Sequence, residues 1–196
     1  MGAERRDGLK GKSVRLRGLE RADLDALRAI VNDPEVMRFS NTYRPISDVE
    51  QSAWLEAALQ CSTSVWFGIE DARRAPPPLV GTCCLVDIDT VGRKAELRVR
   101  LGDPRSWGGG LGTEACTLLV EHAFAELNLE RIWLRVFDHN VRALRLYEKL
   151  GFVIEGTLRR HDWVGGAWRD TTLLGLLREE WRGVRTSQTR PPGKRA

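Results

Sequence analysis

The sequence predicts a single α/β (α+β) domain, a mixed β-sheet with helices on both of its faces. Three observations carry this expectation. The chain has 196 residues, a length suited to one domain. Its hydrophobic content of 42% is ordinary for a globular protein and sufficient for a sizeable core. Strand patterns come first as neighbours and then alternate with helical patterns, the order that gives a mixed sheet covered on two sides.

Taken in order, residues 13–19, SVRLRGL, alternate Val14 and Leu16 with arginines and predict a first strand. Residues 20–33 place Leu24, Leu27, Ile30 and Val31 at helical spacing, and Pro34 stops that helix. Ser47 and Glu50 make a capping box before a second helix over 49–60. Strands at 65–70 and 79–89 flank DARRAPPP, a loop because three prolines cannot join a ladder. The strand at 94–101 puts Ala95, Leu97, Val99 and Leu101 on one face and Glu96, Arg98 and Arg100 on the other. A glycine loop then opens a helix over 111–127, followed by a strand at 131–137. A short helix over 140–150 is closed by Gly151, where a C-terminal cap favours glycine. Strands at 152–158 and 171–177 follow, with Gly165–Gly166 as a hairpin turn between them.

Charge and cysteine usage narrow the function classes. The net charge is +4, but residues 1–12 carry +2 and residues 186–196 carry +3, leaving −1 across the remaining 173. Both ends read as disordered basic tails around a domain at 13–185, and the body shows no basic stripe of a nucleic-acid binder. No apolar run is long enough to span a membrane, and the charged N-terminus does not read as a secretory signal. Cys61, Cys83, Cys84 and Cys116 form neither a disulfide framework nor a zinc pattern, so a reducing cytoplasm is expected. His122, His139 and His161 are too scattered for a metal site, and Cys116 reads as a buried structural cysteine rather than a nucleophile.

The stretch SWGGGLGTEA, residues 106–115, holds Gly108, Gly109, Gly110 and Gly112 immediately before a helix. Backbone N–H groups without side chains, at the positive end of a helix dipole, are suited to a phosphate. A tight connecting turn is the plainer alternative. A Walker loop is excluded because no Gly-Lys-Ser/Thr follows. Gly110, Gly112 and Ala115 do fit GxGxxA, with Glu130 twenty residues on, but GDPRSW separates the strand from the first glycine. Further on, DHNVRALRLYEKLGF sets Asn140, Ala143, Leu144 and Tyr147 on one helix face. Asn140 and Tyr147 are either site residues or, respectively, a helix cap and a core tyrosine.

Together the two segments resemble the GNAT superfamily of N-acetyltransferases, which use acetyl-CoA. The family loop, Q/R-x-x-G-x-G/A, is similar to Trp107-Gly108-Gly109-Gly110-Leu111-Gly112, with Trp107 in place of Gln or Arg. The family's N-x-x-A-x-x-x-Y-x-x-x-G-F pattern is similar to Asn140, Ala143, Tyr147, Gly151 and Phe152. The AEL before the loop, LNLERIWLRV and GGAWRDTTLLGLL resemble the subgroup of ribosomal-protein N-terminal and spermidine acetyltransferases. The resemblance spans roughly residues 13–182. It implies a GNAT fold with a central mixed, mostly antiparallel sheet, and direct acetyl transfer to a primary amine in a ternary complex.

It further implies that the N–H groups from Gly108 to Gly112 and Thr113 bind the CoA pyrophosphate, with Val99, Leu101 and Asn140 positioning the pantetheine. Tyr147 falls at the family's acid position, and Glu96 is a candidate base, directly or through water. The expected acceptor is a small cationic amine or a protein N-terminus, met by Phe39, Tyr43, Asp87, Asp162, Trp163 and Trp168. Partners beyond the acceptor are not expected to include nucleic acid, membrane or metal, and a homodimer is allowed. The rival function is a non-catalytic acyl-CoA sensor on the same fold.

Overall fold

The computed structural model describes residues 8–183, apart from 103, 105 and 106. Among the described residues an eight-stranded sheet runs in the order β1-β2-β3-β4-β5-β6-β8-β7. Its strands are β1 (Leu9–Lys10), β2 (Val14–Arg17), β3 (Val65–Asp71), β4 (Leu79–Asp89), β5 (Lys94–Leu101), β6 (Arg131–Phe137), β7 (Val153–Val164) and β8 (Ala167–Leu177). Every neighbouring pair is antiparallel except β5 with β6. The helices are α1 (Leu24–Asn32), α2 (Pro34–Met37), α3 (Asp48–Gln60), α4 (Leu111–Ala125) and α5 (Val141–Lys149).

The two faces follow alternation along the strands, with the phase of β4 shifted by an irregularity opposite Ile69 and Glu70. Phe67 and Ile69 of β3, with Val80, Cys83 and Leu85 of β4, join the main core under α4 and α5. Trp66 and Leu79 point the other way and pack with Leu27 of α1 and with Trp54 and Leu55 of α3. The buried side of α4 is Leu111, Ala115, Cys116, Leu119, Val120, Ala123 and Phe124. These recur at helical spacing, and the small residues among them let α4 lie close on the sheet. Leu119 is fully buried there, a contribution of about 2 kcal/mol.

Four expectations need correction. The N-terminal tail expected over 1–12 contributes an edge strand, because Leu9 and Lys10 pair with Leu16 and Arg15. The helix expected at 20–33 begins as a 3₁₀ turn at Arg21–Asp23 and becomes α1 only at Leu24. Pro34 then does more than stop it. Asp33 turns extended and its carboxylate accepts the N–H groups of Glu35 and Val36, starting α2 with proline in its first turn. The last two strands also run further, with β7 reaching Val164 and β8 starting at Ala167 around the Gly165–Gly166 turn. The expected tail at 186–196 lies outside the described residues.

Candidate active site

The parallel pairing of β5 with β6 is short. It joins Lys94 to Arg131, Ala95 to Ile132 and Glu96 to Trp133. From there β5 runs on to Leu101 beside β4, and β6 runs on to Phe137 beside β8. The strands therefore part, and the backbone groups on their facing edges are open to another partner.

The glycine loop stands at the mouth of this opening. Gly108 and Gly110 have φ of +82° and +85°. A Cβ on either would meet nothing within 4 Å, so it is the left-handed backbone that requires glycine there. The same observation shows open ground in front of the loop, which suits a large polar group. Gly110 is the N-cap of α4 and supplies no capping side chain. The first N–H groups of α4, from Leu111 to Thr113, are thus free of the usual side-chain acceptor and carry the positive end of the helix dipole. Glu114, the acid of that first turn, is drawn aside to the backbone N–H groups of Lys12 and Ser13. Gly112 serves packing: a Cβ there would lie 3.3 Å from Leu101 and 3.4 Å from Leu146. Its bareness sets the start of α4 against both the end of β5 and α5.

Trp107 closes the head of the loop. Its indole Nε1 donates to the Leu101 carbonyl at 3.2 Å, so that carbonyl is already engaged. The Arg142 guanidinium sits 4.0 Å over the Trp107 ring, and the Phe39 edge meets the same ring at 6.0 Å. Phe39 stacks on His139, which stacks on Phe137. The position that lacks the family's Gln or Arg thus recruits a cation from the first turn of α5. Sequence reading missed this because Arg142 falls on the charged face of its helix.

Tyr147 is 5% exposed, inside the main core, with Phe152 at 5.5 Å edge-on. Among the described residues no hydrogen bond engages its hydroxyl. Burial, reinforced by the neighbouring thiols of Cys116, Cys83 and Cys84, pushes its pKa well above the usual value. Asn140 is the N-cap of α5, its Oδ1 accepting the Ala143 N–H at 3.2 Å. Cys116 is fully buried and burial pushes its thiol up to about 12, as an inert core cysteine should be.

Glu96 is only 3% exposed, unlike a solvated strand carboxylate. Arg98 reaches it at 2.6 Å and Arg135 of β6 at 3.1 and 3.3 Å. Burial alone would raise its pKa; the two guanidiniums outweigh that and hold it below the usual carboxylate range. Of the residues expected around the acceptor, Asp162 is taken up by Asn41 and by Thr171, at 3.1 and 2.5 Å. Trp163 and Trp168 pack edge-on against each other across the hairpin and stay half exposed, and Tyr43 is exposed.

A sequence model of the acetyltransferase (GNAT) domain matches residues 13–153. The chain belongs to the GNAT acetyltransferase family. It is an acyl-CoA-dependent N-acyltransferase, and acetyl-CoA is its acyl donor. Among its GNAT relatives, the spermidine N(1)-acetyltransferase of Escherichia coli (strain K12) is 32% identical over 172 residues, 86% of this chain and 88% of that protein. The uncharacterized N-acetyltransferase p20 of Bacillus licheniformis is 31% identical over 173 residues, 86% of this chain and 94% of that one. The crystal structure of spermidine N-acetyltransferase from Vibrio cholerae in complex with CoA and spermine superposes with a TM-score of 0.78 at 27% identity, covering 87% of this chain and 98% of that one. No helix among the described residues is long and apolar enough to cross a membrane.

Proposed function

We propose that this GNAT enzyme acetylates a small primary amine by direct attack within a ternary complex. The observation that carries the reading is the convergence of three features on one opening. These are the parted edges of β5 and β6, the uncapped start of α4 behind Gly108 and Gly110, and the α5 helix that bears Tyr147. When bound, acetyl-CoA supplies a thioester carbonyl open to an amine lone pair. The loop N–H groups from Gly108 to Thr113 hold the pyrophosphate, and Arg142, stacked on Trp107, adds a positive charge beside them. The backbone around Val99 to Leu101 aligns the pantetheine arm, and Asn140 contributes by fixing where α5 begins.

In the transfer an N–C bond forms and the C–S bond breaks. The amine surrenders one proton to solvent, and Tyr147 gives its hydroxyl proton to the departing thiolate. The raised pKa keeps that phenol protonated through the neutral range, as an acid requires. Glu96, clamped by two guanidiniums and low in pKa, is better suited to holding Arg98 and Arg135 at the β5–β6 junction than to abstracting a proton directly. Positioning supplies much of the rate when the acceptor enters already deprotonated.

A small amine is favoured over a protein N-terminus by the relatives named for spermidine. Reduced cysteines and the donor fit a cytoplasmic setting. Thiol release from acetyl-CoA, followed across small amines and N-terminal peptides, tests the reading. Turnover with at least one small amine is expected. Stabilisation of the fold by CoA without turnover on any amine would instead support a sensing role.

A further inference from the structure

The face of the sheet opposite α4 carries an excess of arginines. Glu96, Arg98 and Arg100 share that face of β5, and registers place Cys84 beside Arg98 and Thr82 beside Arg100 on β4. Trp133 lies beside Glu96 on β6, so Arg135, two residues on, shares the face. On β8, Thr171 lies beside Phe137, which puts Arg169 there as well. Arg98 and Arg100 follow Glu96, so they occupy the stretch of β5 from which β6 has parted. Tyr147 packs on the opposite side of the sheet, with the main core. Arg98 and Arg100 thus line the parted stretch of β5 on the face away from Tyr147.

Among the described residues their counter-charges are few. Glu96 pairs with both Arg98 and Arg135, one negative charge against two positive. Asp162, across from Arg169, has its oxygens taken by Asn41 and Thr171. The Arg169 Nε is buried with no hydrogen-bond partner among the described residues. Asp87 is near enough to raise the Arg98 pKa. Arg100 is half-buried and, among the described residues, has neither a hydrogen bond nor an ion pair. Burial lowers its pKa, and the nearby Arg98 charge lowers it further. A desolvated cation is costly without an anion, so this one stands ready for an anion brought by a ligand.

Resting on the acetyl-transfer reading above, we propose that the acceptor is a primary amine that also bears a carboxylate or phosphate, and that Arg100 holds this anion while the amine faces the thioester. Such an acceptor differs from the polyamine for which the Escherichia coli and Vibrio cholerae relatives are named. A planar guanidinium pairs with either anion through two parallel N–H bonds.

The test is thiol release by the full chain with acetyl-CoA and matched amines. β-Alanine is compared with its amide for the carboxylate arm, O-phosphoethanolamine with ethanolamine for the phosphate arm, and spermidine stands as the polyamine. One anionic amine should exceed both its neutral counterpart and spermidine in kcat/KM by about tenfold or more. Arg100→Gln should reduce that preference to under about threefold through acceptor KM, with acetyl-CoA KM unchanged. Arg100→Lys should keep part of it. Thermal melts with and without CoA confirm that each variant is folded. Preference for spermidine, or an anionic preference that survives in Arg100→Gln, would overturn the assignment. Absence of thiol release with every amine would overturn the acetyl-transfer reading itself, and this one with it.

Discussion

Tyr147 and Glu96 show how burial and partners separate two ionisable residues of one site. Tyr147 is 5% exposed and, among the described residues, no hydrogen bond holds its hydroxyl, so removing that hydroxyl should cost the fold little. Tyr147→Phe should lower kcat by about tenfold or more with little change in acetyl-CoA KM, and should melt near the parent temperature. Initial-rate kinetics check this, and an unchanged kcat removes Tyr147 from the chemistry. That a tyrosine belonged here was readable from its place in the N-x-x-A-x-x-x-Y pattern. The clamp on Glu96 was not, because Arg135 lies 39 residues away in the chain. Alternation placed Glu96 on the polar face of β5 and could not say what stands opposite.

The helices follow local chemistry closely. Ser47 accepts the Glu50 N–H and the Glu50 carboxylate answers to the Ser47 N–H, as the capping box predicts for the start of α3. The start of α4 has the opposite design, a left-handed Gly110 with no capping side chain. Gly110→Ala places a side chain in open space, so its cost is backbone strain rather than collision. A loss of about 1 kcal/mol is expected from that strain, seen as a lower Tm. Acetyl-CoA KM should rise severalfold, because the same N–H groups hold the pyrophosphate; a normal KM would place the phosphates elsewhere. Glycine crowding signalled this loop from sequence. The Trp107–Arg142 stack needed the fold, which brings the loop against the first turn of α5.

Across the molecule, ion pairs tie strand to strand and set the response to pH. The Arg17 bonds hold Asp23 below the usual carboxylate range against the opposing effect of burial. Arg98 and Arg135 do the same for Glu96, where burial is the larger single influence. A carboxylate with a depressed folded pKa stabilises the fold above its unfolded value and loses that contribution as pH falls through the folded one. Tm should therefore be nearly level from about pH 7 to pH 5 and fall below about pH 4.5, where the unfolded carboxylates begin to take up protons. Glu96→Gln should flatten part of that acid limb while lowering Tm at neutral pH, since it leaves Arg98 and Arg135 without their anion. A parent-like acid limb in Glu96→Gln would show that the pH response originates elsewhere.

The amino-acid order was enough for the element sequence, the glycine loop, the tyrosine helix and the family, because each is a pattern of near neighbours in the chain. Alternation and 3.6-residue spacing report which way a side chain faces, and the resemblance rests on motifs of a dozen residues. The edge strand at Leu9–Lys10 escaped that reading, since two residues are too few to show a period. The parting of β5 from β6, the clamp on Glu96, the cation at Trp107 and the isolation of Arg100 among the described residues depended on folding. Each is a relation between residues far apart in sequence, and an unpaired charge is recognised only when everything around it is in place.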